Sequence, residues 1–183
     1  RSNGREALLS RFRVVDEQGN DVPVGGVGEV ITEHARMGMI GYWRNEAATR
    51  ETLREGWMRS GDLARVEPEG FITLVDRIKE VIISGGENIY PKEIELVLAA
   101  HPAVQEVAVF GIPDAHYGEA PCAAVALKPG ATATAEELLA LCEKELARYK
   151  RPKAYRFLES LPKSHIGKTL KTELRKLLAG DAP

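Results

Sequence analysis

Cysteine is scarce in this sequence: Cys122 and Cys142 are the only two among 183 residues. They are too few and too far apart for a disulfide framework or a zinc site. Cys122 lies in an apolar run and Cys142 on the apolar face of an expected helix, so both are expected to be buried thiols of a reducing compartment, with a cytoplasmic location. No apolar run is long enough to span a bilayer, and no secretory leader is visible. Excess charge of either sign is missing too. A formal net charge of −2 gives no electrostatic reason to expect nucleic acid or an anionic membrane as partner. His34, His101, His116 and His165 are scattered without ligand spacing, so no metal set is expected. Two nucleotide motifs also fail. Pro162 stands where a Walker loop ending in Gly167-Lys168-Thr169 needs its first glycine, and Ile31 takes the last glycine's place in a dinucleotide fingerprint starting at Gly26. The chain opens Arg1-Ser2-Asn3-Gly4 without an initiator methionine, as a fragment or processed product would.

What is present is ordinary globular composition, with 44% hydrophobic and 28% charged residues. The length suits one ordinary domain or two small ones. Strands are expected at 12–15 and 27–32, and a short helix capped by Asn45 is expected to run to about Arg54. A hairpin is expected from 63–66 and 71–75 around Glu67-Pro68-Glu69-Gly70. After Arg77 strands and helices alternate. A strand at 80–83 precedes a helix from Pro91 to about Ala100 with Ile94, Val97 and Leu98 inward. Strands follow at 104–112 and 122–127. Thr134 and Glu137 form a capping-box signature for a helix with Leu138, Leu141, Cys142, Leu146 and Tyr149 on one stripe. A strand at 155–158 precedes a last helix carrying Leu170, Leu174, Leu177 and Leu178, which Gly180 can end. The expected fold class is α+β or α/β: a small antiparallel β subdomain with one helix, then a compact α/β domain with a short sheet flanked by helices.

Four stretches carry chemistry: Trp57-Met58-Arg59-Ser60-Gly61-Asp62-Leu63, Asp76-Arg77-Ile78-Lys79-Glu80, the run Ser84-Gly85-Gly86-Glu87-Asn88-Ile89-Tyr90-Pro91-Lys92-Glu93-Ile94-Glu95, and Leu161-Pro162-Lys163-Ser164-His165-Ile166-Gly167-Lys168. Singly, each reads as a turn, a surface ion pair or a solvated lysine. In this order and spacing they resemble the adenylate-forming family of acyl- and aryl-CoA synthetases, luciferases and peptide-synthetase adenylation domains. Gly41-Tyr42-Trp43 and Gly111-Ile112-Pro113-Asp114 agree with it, and the resemblance covers nearly the whole chain.

The resemblance implies a reaction in which a carboxylate and ATP give an acyl-adenylate and pyrophosphate, after which a thiol displaces AMP. It makes Lys168 the catalytic lysine, Asp62 a ribose ligand and Arg77 a second nucleotide contact. Lys79 falls at a hinge, residues 77–79, between a truncated N-terminal part, residues 1–76, and a mobile C-terminal domain, residues 80–183. Gly85, Gly86 and Asn88 belong to a loop that admits the pantetheine of CoA. The implied ligands are ATP or AMP and CoA, with Mg2+ held mainly outside this stretch. The implied partners are an N-terminal adenylation domain and a carboxylic acid. The family's Ser/Thr/Gly-rich phosphate loop and acyl pocket are expected upstream, so the chain alone is expected to be inactive. Departures are Ala35 for a common glycine, His165 and Ile166 for smaller or polar residues, and Lys171 for a frequent arginine.

A basic run from Lys144 to Lys176 is read as a solvated face that helps draw in ATP and CoA phosphates. Acetylation of Lys168 would remove its charge and block adenylation. An acyl-CoA ligase, as in fatty acid metabolism, is the leading expectation. Because no carrier domain follows Pro183, a carrier-loading adenylation domain comes second, and a non-catalytic nucleotide-binding module third.

Overall fold

The computed structural model describes residues 2–6 and 11–178, which form two compact units dividing between Lys79 and Glu80. The fold is α+β.

The first unit is an antiparallel sheet of β1 (Phe12–Val15), β2 (Val27–Glu33), β3 (Leu53–Arg54), β4 (Trp57–Val66) and β5 (Ile72–Arg77). β2 lies between β1 and β4, and the other edge of β4 takes β3 at its start and β5 at its end. Val14, Val30, Ala64 and Ile72 make the core, with Phe12, Val22 and Val66 against it. Two short helices, α1 (His34–Met37) and α2 (Glu46–Thr52), interrupt the strands, where the sequence reading expected one. α1 is a single turn closed by Gly38 N–H donating to the His34 carbonyl, too short to show any apolar period. α2 begins as expected: the Asn45 side chain accepts from the Ala48 N–H at 3.0 Å. Its end is earlier than expected, because Leu53 and Arg54 pair with Met58 and Trp57.

The second unit is built on β6 (Ile82–Ser84), β7 (Glu87–Ile89), β8 (Val104–Asp114), β9 (Gly118–Leu127) and β10 (Ala154–Leu158), with α3 (Pro91–Ala99), α4 (Ala135–Glu145) and α5 (Lys171–Leu178). β8 and β9 form a long antiparallel hairpin, while β10 runs parallel to β9 on its other edge. β6 joins β9 through Ser84 and Gly118 and pairs with β7. Alternation along β9 divides the core. Ala123 and Val125 face Ile94 and Leu98 of α3 and Leu138 and Cys142 of α4. Cys122, Ala124 and Ala126 face Leu161 and Leu174 of the last helix. Both thiols are buried, on opposite faces, and burial pushes both of their pKa values up.

Several boundaries differ from the sequence reading. Glu80 belongs to a 3-10 turn, Ile78–Glu80, so β6 starts at Ile82. β7 is not expected from the sequence, since its three residues carry too little pattern. α4 is capped on both sides of its Thr134–Glu137 box, but it ends at Glu145. Tyr149 therefore leaves the stripe for a 3-10 turn, Arg148–Lys150, and stays exposed. In α5 Leu174 is buried, whereas Leu177 faces solvent. The cap expected at Gly180 lies outside the described residues. No described helix is long and apolar enough to cross a membrane.

Candidate functional site

Asp62 and Arg77 are neighbours across β4 and β5. The Arg77 Nε donates to Asp62 Oδ1 at 2.9 Å, with both side chains open to solvent. How β4 presents Asp62 follows from a bulge. Glu29 pairs with Leu63 but Ile31 with Arg59, so Ser60, Gly61 and Asp62 stand opposite Val30 alone. Gly61 takes the left-handed conformation, with φ of 71°. Its N–H donates to Glu29 Oε1 at 3.1 Å, and the other oxygen of Glu29 pairs with Arg59. Ser60 Oγ donates to the Val30 carbonyl at 2.6 Å and accepts from the Asp62 N–H at 3.0 Å. A buried carboxylate is stable only with such partners. Glu29, 6% exposed, is thus the internal brace of this bulge, and Ser60 its second brace. The sequence reading assigned neither a role. The only available signal was a glutamate inside an otherwise apolar strand. Lys79 is exposed in the 3-10 turn Ile78–Glu80.

In the second unit Gly85 and Gly86 are the central residues of the β6–β7 hairpin, between the paired Ser84 and Glu87. Their φ angles, 60° and 86°, are both positive, which a two-residue turn of this twist demands. Asn88 is exposed on β7 opposite Ile83. The turn is buttressed by the bend joining β8 to β9. Gly85 N–H donates to the Tyr117 carbonyl at 2.9 Å, and a Cβ on Gly85 would meet the Tyr117 ring at 3.0 Å. Asp114 organises that bend, accepting from the His116 and Tyr117 N–H groups and from Lys153 Nζ at 2.8 Å. The Lys153 hydrogen bond, followed by the two amides, holds the Asp114 pKa down at about 2. Lys153 also lies over the Tyr117 ring at 3.9 Å.

Lys168 sits on a separate loop. The stretch from Lys163 to Thr169 is closed by a bridge between those two residues. Within it, Ser164 N–H donates to the Lys168 carbonyl at 2.8 Å, Lys168 N–H to Ser164 Oγ at 3.2 Å, and Gly167 N–H to the Ser164 carbonyl at 2.9 Å. Gly167, with φ of 80°, lets the loop turn back. Leu161 before it and Leu174 after it are buried together. Part of the basic run is engaged: Lys150 pairs with Glu93, Arg151 with Glu143, Lys153 with Asp114, Lys163 with Glu106 and Lys171 with Glu95. Lys168 is exposed and has no ion pair with the other described residues of its unit. No group of His, Cys, Asp or Glu among the described residues could hold a metal ion.

The structure thus places six of the seven expected site residues in three groups. Asp62 and Arg77 are bonded to each other, Gly85, Gly86 and Asn88 share a hairpin, and Lys168 has its own loop. Lys79 stands at the end of the first unit.

Residues 93–168, from α3 to Lys168, match the model of the AMP-binding enzyme C-terminal domain. The chain is 42% identical over 175 residues to a feruloyl-CoA synthase of Amycolatopsis, covering 96% of this chain and 35% of that protein. It is 43% identical over 174 residues to a long-chain-fatty-acid–CoA ligase of Escherichia coli, covering 95% of this chain and 31% of that protein. In three dimensions it superposes on the o-succinylbenzoate CoA synthetase of Bacillus subtilis, solved with its acyl-adenylate intermediate. There the TM-score is 0.88 at 34% identity, over 95% of this chain and 35% of that one. The chain therefore spans about a third of the length of the relatives it matches. Sequence, fold and the family match agree that this chain belongs to the adenylate-forming, AMP-binding enzymes and corresponds to their C-terminal portion.

Proposed function

We propose that this chain is the C-terminal part of an ATP-dependent acyl- or aryl-CoA ligase and supplies its adenylation lysine and its thiol-side loop. The observation that carries this reading is the state of Lys168. It is the exposed lysine of a short, internally hydrogen-bonded loop, while Lys163 and Lys171 on either side are paired with glutamates. An anionic carboxylate attacking a triphosphate needs positive charge where negative charge develops. A mobile ammonium on a four-carbon stem can bring it. At contact distance such a pair is worth about 4 kcal/mol in a partly shielded site.

Asp62 would accept from ribose hydroxyls, with Arg77 fixing the carboxylate through Oδ1. Its bulge is braced by Glu29, so the carboxylate is oriented before any ligand arrives. Lys79 would serve as the pivot of domain rotation between the two half-reactions. Gly85 and Gly86 would let pantetheine run close to bare backbone, and Asn88 would line the same hairpin. Mg2+ would be held mainly by the part of the enzyme outside this chain. Relatives named for feruloyl and for long-chain fatty substrates match almost equally well, so the acid is chosen elsewhere in the enzyme.

The test is ATP–pyrophosphate exchange by the full-length enzyme with a panel of carboxylic acids. Lys168→Ala should lower exchange with the accepted acid by about 100- to 1000-fold, the usual effect of removing one transition-state charge contact. Thioester formation from supplied acyl-adenylate should persist, and this chain alone should exchange nothing. Wild-type exchange in the Lys168→Ala enzyme would sink the proposal.

A further inference from the structure

Lys171 is the first residue of α5, three positions after Lys168, and its side chain is only 15% exposed. Its Nζ lies 2.8 Å from Glu95 Oε1 on α3 and 3.6 Å from Glu80 Oε2, just after Lys79. Glu95, 13% exposed, accepts in addition from the Val109 N–H of β8 at 3.0 Å. One largely buried ammonium thus joins α5 to α3, to the central hairpin and to the first residue of the unit. Burial of both charges brings little stability, since desolvation offsets most of their attraction. Nor is the pair needed to seat the helix, because Leu174 is completely buried on the same element. What the pair does supply is direction and register. The loop leaves the sheet at Lys163, held by Glu106 at 2.6 Å, and returns at Lys171, held by Glu95. Lys168 is the exposed cation between two fixed ones.

We propose that Lys171, held by Glu95 and Glu80, is a positioning residue that sets the Lys168 loop for adenylation. This rests on the reading of Lys168 given above. Lys171 touches no substrate; it acts by fixing where the loop re-enters the domain, so that Lys168 has to search less space to reach a phosphate. A displacement of about 1 Å in a catalytic group can cost around 100-fold in rate.

The experiment replaces the closest pair of charges in the full-length enzyme, Lys171→Met with Glu95→Gln, so that Glu95 is not left as an unpaired buried charge, while Glu80, 29% exposed, keeps contact with solvent. Pyrophosphate exchange should fall about 10- to 100-fold in kcat with KM for ATP little changed. Thioester formation from supplied acyl-adenylate should hold, and the melting temperature should stay near wild type. Lys171→Arg should restore exchange. In a Lys168→Ala background the double change should cost nothing further, as expected for residues acting through one another. Wild-type exchange in the double variant, or an equal loss in both half-reactions, would overturn the proposal. If Lys168→Ala itself exchanges normally, the functional reading fails, and amide exchange on this chain then decides the structural claim. The Gly167 and Lys168 amides, both bonded to Ser164, should exchange faster in the double variant while the β8–β9 amides do not change. Unchanged exchange in the loop would refute it.

Discussion

Asp114 shows how a single side chain of ordinary type acquires a particular role from its surroundings. Its ordinary pKa of 3.8 is lowered to about 2 by Lys153, with help from the Tyr117 and His116 amides. A carboxyl group that binds protons more weakly when folded contributes stability that is fully present above its unfolded value. That contribution is lost as pH falls through the folded one. Urea midpoints should therefore separate wild type from Asp114→Asn at pH 5 and converge as pH drops from about 4 to 2. An asparagine keeps the one oxygen that accepts from both amides, so the difference reports the lysine contact. A gap that stays constant over that range would remove the Lys153 contact from the account. Glu29 is a different case, a buried carboxylate whose two oxygens serve Gly61 and Arg59. Its role could not be read from the sequence, because the partners, Arg59 and Gly61, lie 30 and 32 positions away on another strand.

At the scale of elements, the β6–β7 hairpin shows what glycine is for. Gly86 has open space where a Cβ would lie, so Gly86→Ala should cost only the left-handed conformation, about 1–2 kcal/mol. Gly85→Ala should cost more, since its Cβ would also press on the Tyr117 ring at 3.0 Å. Denaturant midpoints of the two variants check this ordering, and equal losses would show that Tyr117 yields freely. Local signals were reliable wherever the chemistry is local. The Asn45 cap and the Thr134–Glu137 box form as expected, because each closes within one turn. Where an element is ended by something distant, the local pattern runs past its end. The apolar stripe predicts α4 as far as Tyr149, yet the helix stops at Glu145 and Leu146 turns into the core as its cap. The strand expected from Glu80 starts at Ile82, because Glu80 turns aside to face Lys171.

At the scale of the molecule, each unit has its own core: four buried residues with three flanking ones in the first, and two larger clusters on either face of the sheet in the second. Residues 80–183 should therefore fold alone. Hydrogen exchange of that segment should show β8 and β9 amides protected as strongly as in the whole chain, and exchange at unfolded rates would contradict this. The first unit, with its smaller core, should unfold at lower denaturant than the second.

Residue order and spacing alone determined the family resemblance, an α+β or α/β class, the expected burial of both thiols and, through the resemblance, the candidate residues Asp62, Arg77, Lys79, Gly85, Gly86, Asn88 and Lys168. The class and the burial follow from periods of two and of 3.6, which are properties of neighbours along the chain. Tertiary structure alone decided that Asp62 is offered on a glutamate-braced bulge and bonded to Arg77. It also decided that the glycine turn leans on Tyr117, and that Lys163 and Lys171 on either side of Lys168 are engaged in ion pairs while Lys168 stays exposed. Those arrangements join residues far apart in sequence, and only a closed fold brings such charges within reach of one another.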